Sequence, residues 1–454
     1  MELLVSELAF GGAGVARHDG FVVLVPRTVP GDQVCARIVA SHPGYATGRV
    51  EEILVPSPDR VAPRCRHFDL CGGCAYQHLP PLLQAQTKAN QVREALHRIG
   101  ARLEPAVLDP ITAPSAFGYR TRVELTAFAE PGNRIRLGYH RQDRPGEVFA
   151  VEECAIAAPA IETLRARLDE ALGRSHLTPF DTRTRRGFLR RVVLRCSSTG
   201  DTLVELRTAR PDPRPLKALV ADLISFPGLQ GIVQVLDRGG RRSISGPSHL
   251  LWGRSTLRET LAGLRLEFPA GAFAQTHAAM MEILYREALR AAGDATGRAC
   301  LDLFCGAGAL SLLLERAGAR EVMGIESDGS AAGAASRNAR ANAATRCRFV
   351  HAEVESALQE PPSPATGGRF ELAVLNPPRP GLSARALQLL VRMAPECLAY
   401  VSCDPATLAR DLRRLAEAGY RIDWVRPLDL FPQTAHVETV SALVRNRARA
   451  DAVA

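Results

Sequence analysis

Apolar residues recur at three- and four-residue spacing at Ala85, Ala89, Val92, Leu96 and Ile99, which predicts one amphipathic helix from about Leu82 to Ile99. Ahead of it the pattern is quite different. Residues 1–57 break into short apolar runs, Phe21 to Val25, Val34 to Val39 and Thr47 to Leu54, punctuated by Gly11, Gly12, Gly14, Gly20, Gly31 and Gly44. So many short strands in so few residues predict an OB-like β-barrel, with a β-cap on the next domain as the alternative. From Tyr119 to about Leu266 the pattern is mixed and strand-rich, at 122–126, 135–139, 192–195, 203–206 and 232–236, which reads as a central α+β domain. From Phe268 onward strands alternate with helices, as in a parallel doubly wound α/β sheet. The expected domains are therefore 1–57, 58–267 and 268–454. The proline- and glycine-rich stretch from Glu360 to Gly368 falls inside the last of these as a loop, and no internal repeat interrupts the order.

Composition narrows the setting. At 454 residues the chain has room for several cores. No run of about 18 apolar residues occurs, so no membrane span is expected. The start, Met1-Glu2-Leu3-Leu4-Val5-Ser6-Glu7, lacks the basic and long apolar stretches of a signal peptide, which makes the cytoplasm the expected compartment. There the eleven cysteines read as metal or catalytic thiols rather than disulfides. The net charge of +9 favours a polyanionic partner. Lys88 and Lys217 are the only lysines, so this charge is nearly all arginine, a skew that codon bias could also produce.

Candidate chemistry falls at four places. Cys65, Cys71 and Cys74, with Gly72 and Gly73 between the last two, are close enough to converge on one soft metal centre. The apolar run 299–304 leads into Gly306-Ala307-Gly308 and a helical stretch, a strand–glycine turn–helix unit of the kind that lets a ligand approach the backbone. The next strand, 321–326, ends in Glu326, a carboxylate placed to accept hydrogen bonds from a ribose diol. With no third glycine in the dinucleotide pattern and Asp302 just before the turn, S-adenosylmethionine fits better than NAD. A third strand runs 372–375 into Asn376-Pro377-Pro378-Arg379. A fourth runs 398–402 into Cys403-Asp404-Pro405, putting a soft nucleophile at the end of a strand rather than inside it. Cys300, Cys305, Cys347 and Cys397 read instead as small packing residues. Glu438, just before the apolar strand 440–444, is a candidate general base or else a solvated carboxylate, and His436 a packing or capping residue.

Taken together these segments resemble the class I RNA 5-methyluridine (uracil-C5) methyltransferase family over essentially the whole chain. The resemblance implies a TRAM domain for the N-terminal barrel and a Rossmann-like S-adenosylmethionine-dependent methyltransferase domain at the C-terminal end. It implies that Cys65, Cys71, Cys74 and Cys154 hold a 4Fe–4S cluster, with zinc on the same thiolates as the alternative. It assigns Gln275, Phe304, Glu326 and Asn376 to the cofactor, Cys403 to nucleophilic attack and Glu438 to proton acceptance. Arg379 and the Arg190-Arg191 strand resemble RNA-side features of the family. Two positions depart from its usual pattern: Asp404 stands where asparagine is usual, and Asn376 where many members have aspartate. A carboxylate at 404 would disfavour the thiolate unless it is turned away or paired.

The resemblance also implies a mechanism. The Cys403 thiolate attacks uracil C6, C5 takes the methyl group, Glu438 removes the C5 proton, and elimination frees the enzyme; the target base must leave its stack. The expected partner is RNA, 23S ribosomal RNA ahead of transfer RNA, acted on by a monomer with no membrane association. A cytosine-C5 methyltransferase and a non-catalytic RNA-binding or assembly factor of the same fold are the rival readings.

Overall fold

The structure, a computed structural model, describes residues 1–130, 134–239, 245–360, 363–365 and 367–446. Pro361, Pro362 and Thr366 of the expected internal loop, and 447–454 of the last expected domain, lie outside the described residues. The chain forms two compact units, Met1–Ala116 with Ile283–Leu303 and Glu355–Ala454, and Phe117–Glu282 with Phe304–Val354. Numbered along the chain, the strands and helices of 1–174 are β1 (Glu2–Leu8), β2 (Gly14–His18), β3 (Phe21–Val25), β4 (Gln33–His42), β5 (Tyr45–Val55), α1 (Pro81–Arg98), β6 (Ala106–Val107), β7 (Arg122–Ala129), β8 (Ile135–His140), β9 (Val148–Ala150) and α2 (Pro159–Arg174). There follow β10 (Leu189–Cys196), β11 (Thr202–Thr208), α3 (Lys217–Leu223), β12 (Leu229–Asp237), β13 (Ser245–Gly253), β14 (Thr256–Leu261), β15 (Leu264–Pro269) and α4 (Ala278–Ala292). The remainder comprises β16 (Ala299–Leu303), α5 (Ala309–Arg316), β17 (Glu321–Glu326), α6 (Gly329–Ala341), β18 (Cys347–His351), α7 (Val354–Gln359), β19 (Leu372–Leu375), α8 (Ala384–Met393), β20 (Cys397–Ser402), α9 (Pro405–Glu417), β21 (Tyr420–Leu428) and β22 (Glu438–Arg445).

In the first unit, β1 to β5 close into the expected barrel in the order β1-β2-β3-β5-β4. Alternating residues fill it, among them Leu3, Val5, Val23, Val25, Val34 and Ala36, so the period of two decides which face is inside. A second small cluster, Leu8, Val29, Tyr76 and Leu79 with Leu83 and Ala435 against it, joins the barrel, the cysteine loop and α1.

The same unit carries the strand order β16-β19-β20-β22-β21-β6. The pairs β16/β19 and β19/β20 are parallel, but β22 runs antiparallel to both β20 and β21. The expectation of a purely parallel sheet is corrected here. Residues 429–437 between β21 and β22 hold no helix, and without a helical crossover consecutive strands pair antiparallel. This reversal has a functional consequence. Only an antiparallel strand can present its first residue at the end where parallel neighbours present their last.

The second unit contains a seven-stranded sheet, β13-β12-β11-β10-β7-β8-β9, packed under α2 and α3. Leu125, Leu137, Ile161, Leu164, Leu168, Leu194 and Leu206 are fully buried between them. It also holds the hairpin β14-β15 and the parallel pair β17/β18 with α5 and α6. Among the described residues no helix is long and apolar enough to cross a membrane.

Candidate active site

In the first unit, β19 ends at Leu375, and the backbone N–H of the next residue, Asn376, donates to Leu303 O at the end of β16 (3.3 Å). Beside it β20 ends at Ser402, whose register partner on β22 is Thr439, and the Thr439 hydroxyl donates to Ser402 O (3.0 Å). One step further along that ladder stand Cys403 and Glu438. The structure thus brings Asn376, Cys403 and Glu438 to one end of one sheet.

Glu438 is 4% exposed, which excludes the solvated alternative. Burial pushes its carboxyl up to about 8, opposed by the charge of Arg379. Burial likewise pushes the Cys403 thiol up to about 11. The Glu438 charge adds to that rise, Arg379 opposes it, and Asp404 contributes less than either. Asp404 is in fact paired: as the N-cap of α9 its Oδ1 accepts from the N–H groups of Ala406 (3.0 Å) and Thr407 (2.9 Å). The departure at 404 therefore replaces one capping side chain by another.

Arg379 is held by its backbone. The Thr407 hydroxyl donates to its carbonyl (3.1 Å), and Arg410 donates to Pro380 O (2.7 Å). Gly381 closes the turn with a φ of +72°, and a Cβ there would lie 2.4 Å from Asp411 Oδ2, so glycine is required twice over. The guanidinium lies 3.2 Å from His436 Nε2, and that ring meets Phe431 edge-on. His436 is thus a neighbour of the site rather than a plain packing residue. Tyr285 of α4 escaped the sequence reading altogether; its phenol is pushed up by burial and then by the charges of Asp302 and Glu438.

In the second unit the glycine turn takes shape around Glu326. Phe304 has a φ of +63°, a conformation that bulky residues rarely hold outside functional sites. Gly306 N–H donates to Glu326 Oε2 (2.9 Å), and Asp328 N–H donates to Oε1 (2.8 Å). The carboxylate is thereby aimed by backbone while keeping acceptor capacity on each oxygen. Gly308, at φ +82°, caps α5, and a Cβ on it would come within 2.9 Å of Phe349 and Ala335.

Gln275 follows β15 in a segment fixed from beneath. Buried Arg195 donates to Pro269 O (2.7 Å), and Gly271 N–H donates to Glu205 Oε1 (2.9 Å). Gln275 is 6% exposed, and its Oε1 is buried with no hydrogen-bond partner among the described residues. Such an orphaned acceptor fits a ligand-binding role. The aimed Glu326 carboxylate, the open glycine backbone and Gln275 together suit the amine, ribose and adenine groups of S-adenosylmethionine.

The cysteines divide. Cys65, Cys71 and Cys74 share one loop of the first unit, where Arg27 donates to the carbonyls of Cys71 and Cys74 (both 2.8 Å). Burial lowers the Arg27 pKa, while Asp69 and then the three thiols raise it, so a positive charge lies near this loop. Cys154 belongs to the second unit and packs against its core. Among the described residues no three or more His, Cys, Asp or Glu side chains are gathered as a metal-holding group. Arg190 of the expected RNA-side strand stacks its guanidinium on Phe180 (3.4 Å), whereas Arg191 is tied to Glu124 and Asp237 (both 2.7 Å).

Comparison with known proteins adds to this geometry. Residues 254–446 match the family described as tRNA (Uracil-5-)-methyltransferase, and residues 1–50 match the TRAM domain. An uncharacterized RNA methyltransferase of Halalkalibacterium halodurans is 33% identical over 98% of this chain and 96% of its own. One of Thermosynechococcus vestitus is 36% identical over 98% and 97%. Among solved structures, the Pyrococcus abyssi tRNA (uracil-54, C5)-methyltransferase in complex with S-adenosyl-L-homocysteine is 27% identical, with a TM-score of 0.77 over 98% of this chain and 99% of that one.

Proposed function

The chain belongs to the tRNA (uracil-5-)-methyltransferase family with an N-terminal TRAM domain, and from that premise we propose that it methylates C5 of a uridine in RNA through a Cys403–C6 adduct. The observation that carries the reading is the adjacency of Cys403 and Glu438 at one end of the sheet, each with its proton affinity displaced upward.

Gln275, Phe304, Glu326 and Asn376 are the residues that would hold S-adenosylmethionine, which would supply an electrophilic methyl group on its sulfonium. The chain's own groups do the rest. Uracil C5 is a poor nucleophile until the Cys403 thiolate bonds to C6 and the π-electrons move toward C5 and O4. Once C5 carries the methyl group it still bears its hydrogen. Glu438 takes that proton, the C5–H electrons re-form the C5–C6 double bond, and the C6–S bond breaks to return the thiolate. A carboxylate with a pKa near 8 is a far better proton acceptor than an exposed one, and burial provides that rise against the opposing charge of Arg379. Arg379 opposes the upward shift of both groups and so favours both reactive forms.

The test is covalent trapping with tritiated S-adenosylmethionine and total RNA from cells lacking the protein. Glu438→Gln accumulates a denaturation-resistant RNA–protein adduct, and adding Cys403→Ala abolishes it. Cys403→Ala alone lowers turnover by roughly a thousandfold or more. No adduct with Glu438→Gln sinks the mechanism, and 5-methylcytidine as product moves the enzyme to the cytosine class. No methyl incorporation by the wild type would leave only a binding factor.

The 4Fe–4S cluster belongs to this proposal too. Its support is the cysteine spacing and the Arg27 guanidinium bonded to the carbonyls of Cys71 and Cys74, a charge suited to thiolate donors nearby. Iron and sulfide content with broad visible absorption tests it; stoichiometric zinc without colour selects the other metal. A uridine of 23S ribosomal RNA is the target that the TRAM domain and cysteine loop together support. Similarity to the Pyrococcus enzyme favours transfer RNA instead. Mapping 5-methyluridine in both RNAs from cells lacking the protein decides between them.

A further inference from the structure

The segment between β21 and β22 ends at Glu438 and is anchored by residues that the chemistry above does not use. Its centre is Gln433, which is 1% exposed and has a φ of +72°. A left-handed backbone at a residue other than glycine is held only where its surroundings over-determine it. Here they do. The Gln433 N–H donates to Gln84 Oε1 (2.7 Å), and Gln84 Nε2 donates back to Gln433 Oε1 (3.0 Å). The Gln433 carbonyl accepts from two successive N–H groups of the cysteine loop, Ala75 (2.8 Å) and Tyr76 (2.9 Å). Gln84 is itself fully buried, and its two Nε2 hydrogens are shared among Gln433 Oε1, Tyr76 O and Leu79 O.

Both flanks are pinned as well. Upstream, Lys88 Nζ donates to Asp429 Oδ1 (2.5 Å) and to Phe431 O (3.1 Å). Downstream, the Thr434 hydroxyl donates to Phe431 O (2.8 Å) and accepts from His436 N–H (3.3 Å). The next turn of chain delivers His436 to Arg379 and Glu438 to the end of β22. Every bond in this chain of contacts lies within the first unit.

We propose that Gln433, clamped by Gln84 and by the backbone of residues 75 and 76, is a positioning residue that fixes Glu438 for removal of the C5 proton. Its carbonyl reads the conformation of the cysteine loop, and its left-handed backbone sets the path of the four residues that lead to Glu438. The inference rests on the Cys403–Glu438 mechanism and adds to it that the cysteine loop acts on the proton-transfer step through hydrogen bonds, with no electron transfer required.

The mechanism supplies a readout that general destabilisation would not move. A misplaced Glu438 slows elimination but not attack, so adduct builds up while turnover falls. A merely loosened protein loses adduct and turnover together. The experiment compares Gln84→Leu and Gln433→Gly with wild type and Glu438→Gln, using the full-length protein, tritiated S-adenosylmethionine and total RNA from cells lacking the protein. Gln84→Leu removes both side-chain bonds to Gln433. Gln433→Gly tolerates the left-handed backbone but loses the side chain clamped by Gln84 and frees the backbone to leave that conformation, so it serves even where the first variant does not fold. The expected result is a tenfold or greater loss of kcat, little change in KM for RNA, and an adduct fraction at least several-fold above wild type in Gln433→Gly and in any folded Gln84→Leu. Wild-type kcat and adduct level in Gln433→Gly overturn the proposal, as does a loss of kcat without adduct. Failure of Glu438→Gln itself to trap adduct would instead overturn the underlying mechanism, so the two failures are distinct.

Discussion

Cys403, half-buried, and Glu438, buried, illustrate how two adjacent groups shape each other's titration. Each ionised form disfavours the other, so their proton affinities belong to the pair. The sign for stability follows from the direction of the Glu438 shift. Its folded pKa, about 8, lies above the ordinary 4.5, so its contribution to stability is complete below about pH 4.5 and is lost as pH rises through about 8. Gln at 438 has the same shape and no proton to lose. Glu438→Gln is therefore expected to melt with the wild type at pH 4 and above it at pH 9, by roughly 2 °C or more, measured by thermal scans across that range. Equal melting points at pH 9 would mean that the carboxylate is not buried as described. Activity runs the other way: both reactive groups must be deprotonated, so kcat/KM rises with pH toward and beyond 8. Arg379→Gln removes the charge opposing both shifts and is expected to move that rise to higher pH, read from a pH–rate profile.

At the scale of elements, α1 shows both what apolar spacing reveals and what it hides. The expected stripe Ala85, Ala89, Val92 and Leu96 is buried, but Ile99 is the exposed C-cap. The helix also buries Gln84, Lys88 and Gln91, a second face that looks like a solvent face in sequence. Polar residues at that spacing carry no mark of burial; their partners Gln433, Asp429 and Leu8 lie far away along the chain. Lys88 and Asp429 are 1% and 2% exposed, so removing one leaves the other charged and buried. Lys88→Met is expected to cost about 3–5 kcal/mol, whereas Lys88→Met with Asp429→Leu recovers most of it, measured by chemical denaturation. Failure of the double variant to recover would assign the loss to packing or to Phe431 O. The strand-end positions were legible for a simpler reason: an apolar run that stops at a polar residue marks the end of a strand, and Glu326, Asn376 and Cys403 all obey it. The reversal of β22 was not legible, because residues 429–437 contain no signal that distinguishes a link between antiparallel strands from any other loop. Phe304 and Gln433 hold left-handed backbone without being glycine, and such positions are fixed by surroundings rather than by residue type.

At the scale of the whole molecule, charge is the property that no single site explains. The sequence carries +9, almost all from arginine, yet the structure ties much of that arginine to carboxylates, including Arg60 to Asp32 and Arg191 to Glu124 and Asp237. Paired guanidinium groups are poor phosphate ligands, so the proposed RNA contacts fall to the remainder, with Arg190 over Phe180 as the candidate. Each phosphate neutralised on a single strand contributes about −0.7 to the slope of log K against log salt, so even about three contacts give a tenfold or greater loss between 50 and 200 mM. Binding of tritiated S-adenosylmethionine, for which the proposed contacts are Gln275, Glu326 and backbone, is expected to change little over the same interval. Filter binding of unmodified RNA and equilibrium dialysis of the cofactor, run across one salt series, check both. A flat RNA series would place recognition in stacking and base contacts and remove net charge from the account of substrate choice. Arg190→Ala separates the remaining alternatives: loss of a phosphate contact shallows the slope, while loss of a stacked platform lowers affinity equally at every salt concentration.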